Sequence, residues 1–416
     1  MTSTSTLVST RRSTFSRLVG VSRREVLAGL VGAFALMPES ISFAVVAGLN
    51  PLVGLLTAAT MAMAIAVVGG RPAMVSGAAG SVALVVAPLS RHHGLPYLIA
   101  AVILGGILQV VLGLCRVDRL MRVLPRSVIT GFVNALAILI FWAQIPELSH
   151  VPWVVYPLVC VGLTVVVVAG RVNNLVPAPL LAILVVTAIA VTGHLAVPTL
   201  GQKGNLAAWH VPHPALPALP WTWATLGLVA PYAVALAVVG LLESLMTAQL
   251  VDEITSSASS PRRECCGQGV ANLVTALLGG MGGCAMIGQT IINLRTGGRT
   301  RLSTFTAGAA ILVMVSLVAS QLGRVPMAAL VAVMIVVAFR TFDWGSVRPA
   351  TLKTIPRRDT AATVATVAGT LATSDLAIGV AAGVVVFAAA TRLGPVYDRL
   401  SARRGEPSEP APVTSS

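Results

Sequence analysis

Charge is scarce in this 416-residue chain: acidic and basic residues together make up 10% of it, where soluble domains carry about 25%. Cysteine is sparse as well. Cys115, Cys160, Cys265, Cys266 and Cys284 fall mostly within apolar runs. They show no CxxC spacing and no paired histidines nearby, which excludes a disulfide framework or a metal site and leaves them as small buried residues. There is no GxSxG, no HExxH and no phosphate-loop lysine, so the common hydrolase, metallopeptidase and nucleotide-binding signatures are missing. No soluble stretch of useful size lies outside the apolar runs.

What remains is apolar. Hydrophobic residues form 56% of the chain and the mean hydropathy is +0.88. Runs long enough to span a bilayer recur from Val26 to Leu393, as in a polytopic all-α membrane protein. The net charge of +14 would suit nucleic acid only as a clustered basic face outside the membrane. Instead, with 14 segments and a cytoplasmic N-terminus, nearly every base falls in an inner loop or tail. Only Arg91, Lys203 and Arg324 remain outside. That asymmetry is the positive-inside rule. It predicts a multi-pass protein of the cell membrane with both termini cytoplasmic and no nucleic-acid partner. The expected divisions are a tail over 1–25, seven segments over 26–195, a Pro-rich external linker over 196–220, seven more segments over 221–393, and a short polar tail over 394–416. Residues 1–25 also have the Ser, Thr and Arg content of a transit peptide.

Two of the segments are too short to cross. Gly282–Leu294 and Ser76–Pro88 would each give about 20 Å of helix against a bilayer core of about 30 Å. Both begin in glycine-rich sequence. Broken segments of this kind are tolerated where they line a protein-enclosed cavity. They occupy the third place in each group of seven, and seven, being odd, inverts the second group relative to the first. The expectation is two inverted repeats with half-helices in segments 3 and 10.

Opposed half-helix starts would aim unsatisfied amide donors and about half a positive charge each at one point, a setting for a small anion. The residues expected to line it are Ser76, Gly77 and Ala78 at one start and Ala285, Met286, Ile287 and Gln289 at the other. Glu39 and Phe43 would come from segment 1, where Pro38 should kink or break the helix. Glu39 and Glu243 are the two acids deep within spans, and such acids mark functional sites. Gly240, Glu243 and Thr247 share one helical face. Glu243 could take up a proton with the anion; alternatively, Glu243, Thr247 and main-chain oxygens could hold sodium. The proton is favoured, because one carboxylate among apolar neighbours is a sparse sodium cage. No other cofactor is expected.

These residues resemble a family. LMPESISFAVVAGLNPLVGL, the Pro72–Ser81 run, GLLESLMTAQLVDEIT, and CGQGVANLVTALLGG followed by GGCAMIGQTIINLRTGGRTRLS are similar to the SulP anion transporters over about residues 24–393. That resemblance implies core and gate domains, elevator-type alternating access, an anion between the starts of segments 3 and 10, and a homodimer. It places Glu243 at the cation-coupling position and Glu39 and Phe43 at the lining of the site. Many relatives carry a basic residue where Gln289 stands, so a doubly charged substrate is less expected, and Ile287 replaces a threonine of sodium-coupled relatives. The STAS domain usual after segment 14 is not expected here. The implied activity is secondary transport of sulfate, bicarbonate or a small carboxylate. Alternatives are an uncoupled anion channel, a nucleobase transporter of the same architecture, and a membrane enzyme using Glu39, Glu243, His210 and His213.

Overall fold

Apolar segments fold as helices because, in lipid, each backbone amide must find its partner within its own segment. The computed structural model describes residues 4–117, 125–172, 177–204, 206, 213–348, 351 and 355–404. His210, Arg119, Arg122 and the end of the tail, 405–416, lie outside the described residues.

In chain order the elements are α1 (Thr4–Val46), α2 (Pro51–Val68), β1 (Ser76–Gly77), α3 (Gly80–His93), α4 (Leu95–Leu114), α5 (Arg126–Trp142), α6 (Ile145–Leu148), α7 (Val155–Val172) and α8 (Ala178–Thr192). They continue as α9 (Trp223–Thr255), α10 (Pro261–Leu277), β2 (Cys284–Ala285), α11 (Ile287–Arg295), α12 (Arg301–Leu322), α13 (Met327–Thr341), α14 (Arg357–Thr373) and α15 (Leu376–Arg404). A helix overlaps each expected apolar segment, several running beyond the expected bounds, and α6 is an added turn. By length and composition, α1 from Ser22 onward, α2, α4, the Arg126–Leu148 stretch, α9 and α12 can cross a membrane. Pro38 does not end α1, which continues eight residues beyond it. The Ser42 hydroxyl donates to the Pro38 carbonyl at 2.9 Å.

Contacts among the described residues form two compact units, one of Met1–Asp118 with Ala143–Val336 and one of Arg119–Trp142 with Val337–Ser416. In the second unit, α5 packs against α14 and α15. Gly131 makes the approach possible, since a Cβ there would lie 2.7 Å from Thr366 Cβ. Asn134 accepts from the Asp343 amide at 2.8 Å and donates to Ser346 Oγ at 2.8 Å, which fastens the end of α13 to α5.

The larger unit holds a reciprocal set of helix pairs. α1 packs on α12 and α9 on α4; α2 packs on α12 and α10 on α4; α1 meets α2 and α11, while α9 meets α10 and α3. Small residues bring these helices close. Gly106 faces the Gly269 carbonyl on α10, and Gly308 faces the Ala59 carbonyl on α2. At Gly54 the space is tighter: a Cβ would lie 2.1 Å from the Ser40 carbonyl oxygen. Gly54→Ala should therefore cost about 1–3 kcal/mol, read as a lower unfolding temperature of the purified protein in detergent. An unchanged midpoint would contradict the close approach of α2 to α1.

Within α1, Glu25 is buried, and its carboxylate accepts from the Arg299 amide at 2.9 Å and the Thr300 amide at 3.1 Å. It supplies acceptors to the turn that starts α12. The loop after α8 pairs with the start of α13: the Leu200 amide donates to the Val325 carbonyl at 2.8 Å, and the Met327 amide donates to that of Pro198 at 2.8 Å.

Candidate anion site

The two short segments begin as strands, one step before their helices. β1 and β2 pair antiparallel, Ser76 opposite Ala285 and Gly77 opposite Cys284. The Met286 amide extends the ladder to the Val75 carbonyl at 2.9 Å. Helix therefore starts at Gly80 and Ile287, not at the expected Ser76 and Gly282. Gly282 has φ +75°, and a Cβ on Gly283 would lie 2.0 Å from the Gly77 carbonyl oxygen. A left-handed residue next to a backbone contact that close holds the lead extended until the strands have crossed.

Beyond the crossing, α3 and α11 run from caps that supply no side-chain acceptor. Ala79 and Met286 are the N-cap residues, both extended, and neither first turn holds an acid. The donors of Gly80, Ser81 and Val82 and of Ile287, Gly288 and Gln289 are thus left for another partner.

Of the residues expected at the site, Ser76, Gly77 and Ala285 lie in the strands, Ala78 between β1 and α3, Met286 at the cap and Ile287 at the first turn. Ala78, Ala285 and Met286 are buried. Ile287 is half-buried, while Gly288 is exposed and a Cβ there would meet nothing within 4 Å. Gln289 is 1% exposed, and its amide nitrogen has no hydrogen-bond partner among the described residues. Segment 1 reaches the crossing through Leu36, since a Cβ on Gly77 would lie 3.0 Å from Leu36 Cδ1. Glu39 and Phe43 follow on the same face of α1; Glu39 is half-buried and Phe43 buried.

Glu243 stands beside the crossing with one oxygen committed. Ser81 Oγ and Cys284 Sγ both donate to its Oε2, the thiol at 3.1 Å. One donor comes from the first turn of α3 and the other from β2, so the carboxylate touches both halves of the crossing. Its Oε1 accepts no hydrogen bond among the described residues. Thr247 gives its hydroxyl proton to the Glu243 carbonyl at 2.8 Å rather than to the carboxylate. Gly240, one turn back, lets Gln109 approach: a Cβ would lie 2.9 Å from Gln109 Nε2.

A polar scaffold missed by sequence reasoning holds these strands. Gln268 donates to Ser76 Oγ at 2.8 Å and to Glu264 Oε1 at 2.9 Å. Glu264 Oε2 accepts from the Gly70 and Arg71 amides at 2.7 and 3.1 Å. On the other strand, Asn272 exchanges bonds with the Gly283 amide and carbonyl at 2.8 and 3.1 Å. Ser244 Oγ accepts from the Ala285 amide at 3.1 Å, and Thr290 Oγ1 from the Val75 amide at 3.0 Å. Asn272, Ser244 and Thr290 satisfy backbone groups in or beside the two-residue strands, while Gln268 ties Ser76 to Glu264, which holds the backbone ahead of β1. Ser81 and Cys284 were present in the sequence signal only as small residues of glycine-rich runs. Their partner is set by the crossing register, which a linear reading does not contain.

Comparison with known proteins gives the family and the fold. The sequence model of the Sulfate permease family matches residues 23–366. "Putative sulfate transporter YbaR" of Bacillus subtilis strain 168 is 48% identical over 366 residues, 88% of this chain and 76% of its own length. "Bicarbonate transporter BicA" of Picosynechococcus is 23% identical over 359 residues, 79% of this chain and 63% of its own length. Among solved structures, the transmembrane domain of a cyanobacterium bicarbonate transporter BicA superposes with a TM-score of 0.74 at 22% identity. It covers 87% of this chain and 97% of that domain, and at this identity it establishes the fold.

Proposed function

The chain belongs to the sulfate permease family, and on that premise we propose that it is a secondary transporter of a small anion such as sulfate, bicarbonate or a small carboxylate. The observation that carries this reading is the pair of uncapped helix starts behind Ala79 and Met286, meeting across one strand pair. Two sets of unsatisfied amides with converging dipoles attract an anion, and the buried, unpartnered Gln289 amide adds a neutral donor. Relatives carrying sulfate and bicarbonate transporter names fit that chemistry. They lend no support to the enzyme alternative.

The finer mechanism follows from the same elements. The reciprocal pairing of α1, α2 and α4 with α9, α10 and α12 supports two inverted seven-segment repeats, divided by the linker over 196–220. In an elevator-type cycle, the body that holds the crossing would carry the anion across the cell membrane, both termini remaining cytoplasmic, in a homodimer. Glu243 would take a proton on Oε1 while Ser81 and Cys284 keep Oε2 fixed. The proton rather than sodium is the proposed coupling ion, because one carboxylate with a hydroxyl and a thiol offers few hard oxygen ligands.

Uptake into vesicles reconstituted with the purified chain tests this reading. Labelled sulfate or bicarbonate should accumulate, and an inward proton gradient should speed the accumulation. Uptake of uracil without uptake of either anion would instead support the nucleobase alternative. Large currents independent of any counter-substrate gradient would support a channel.

A further inference from the structure

At the far ends of α1 and α3, away from the crossing, lies a partly open cavity bounded by Val45, Val46, Arg91, Gln144, Glu147 and Leu330. We infer that it binds a small organic carboxylate bearing a short apolar chain. This inference goes beyond the transport reading and does not depend on it.

The charge on the cavity wall is the first reason. The stem of Arg91 lies over Gly48, whose φ is +75°; a Cβ there would be 2.8 Å from Arg91 Cγ. Nη2 donates to the Val46 carbonyl at 2.7 Å. Among the described residues no carboxylate pairs with Arg91. The acid on the same wall, Glu147, is held by Lys203 at 2.7 Å, which neutralises it. The cavity therefore presents one unpaired guanidinium, a planar donor that suits a carboxylate.

The rest of the wall is the second reason. Val45, Val46, Met327, Leu330 and Val331 are apolar. A fully hydrated inorganic anion would lose water against them without replacement hydrogen bonds. A carboxylate with an alkyl chain places its charge on Arg91 and its chain on those side chains. A bound molecule would join the ends of α1 and α3 to the first turns of α13.

Isothermal titration of the purified full chain in detergent tests the site with three probes: hexanoate, acetate and 1-hexanol. Hexanoate should bind at least about tenfold more tightly than either of the others, a difference of about 1.4 kcal/mol. Acetate lacks the chain and hexanol lacks the charge. Arg91→Gln should weaken hexanoate at least about tenfold, and Leu330→Phe, which puts more bulk on the lining, should do the same. The second variant keeps the test decisive if loss of the Arg91–Val46 bond impairs folding. Hexanoate binding unchanged in Leu330→Phe would overturn the inference. So would loss of hexanoate binding in Gly288→Val with Leu330→Phe unaffected, which would place the ligand at the crossing.

Discussion

Glu243→Gln is expected to remove the acceleration of anion uptake by an inward proton gradient, with uptake under that gradient falling at least about tenfold, the equivalent of about 1.4 kcal/mol. The substitution preserves size and leaves an oxygen that can still accept from Ser81 and Cys284. What it removes is the group that gains and loses the proton. The carboxylate also joins the two halves of the crossing, because its donors come from α3 and β2. Hydrogen bonds to a charged group contribute about 1.5–3 kcal/mol, so Ser81→Ala should weaken gradient-driven uptake while Ser81→Thr, which keeps the hydroxyl, should retain most of it. Gradient-stimulated uptake in Glu243→Gln equal to that of the parent would remove Glu243 from coupling.

Gly283→Val carries the second large effect. Its Cβ would lie 2.0 Å from the Gly77 carbonyl oxygen and 2.8 Å from the carbonyl carbon. The obstacle is the backbone of the partner strand, which has no rotamer to change. The Gly283 amide and carbonyl are also both tied to Asn272, so the segment cannot step aside without losing those bonds. The expected cost is at or above the upper end of overpacking, about 3 kcal/mol, with a lower unfolding temperature and loss of uptake. Gly288→Ala is the matched control, since its Cβ meets nothing within 4 Å. Equal unfolding temperatures for Gly283→Val and Gly288→Ala would contradict the strand crossing.

The helices were legible because membrane solvation writes itself into composition: an apolar run must become helix. The shortness of segments 3 and 10 was legible for the same reason, as was Glu243, a lone acid in an apolar helix. The strand leads were not. A two-residue strand has no periodicity, and its partner lies in the opposite half of the chain. Glycine was correctly read as a sign of irregular backbone, but the need for extended geometry at Gly283 appears only when Gly77 faces it. The roles of Ser81 and Cys284 depend on the same register. Gln268, Asn272 and Glu264 looked like ordinary polar residues of segment 9, and only the packing of α10 along α2 and α4 shows them holding the strands.

The central claim is that the two helix starts behind Ala79 and Met286 hold the anion. Its most direct measurement is the thermal shift produced by sulfate and by bicarbonate on the purified parent and on Gly288→Val. A ligand at about one hundred times its dissociation constant stabilises the folded state by about 2.7 kcal/mol. At least one anion should raise the unfolding temperature of the parent. Gly288→Val should unfold at the parent's temperature without anion and show little or no rise with it. An anion-induced rise of the same size in both proteins would contradict the site.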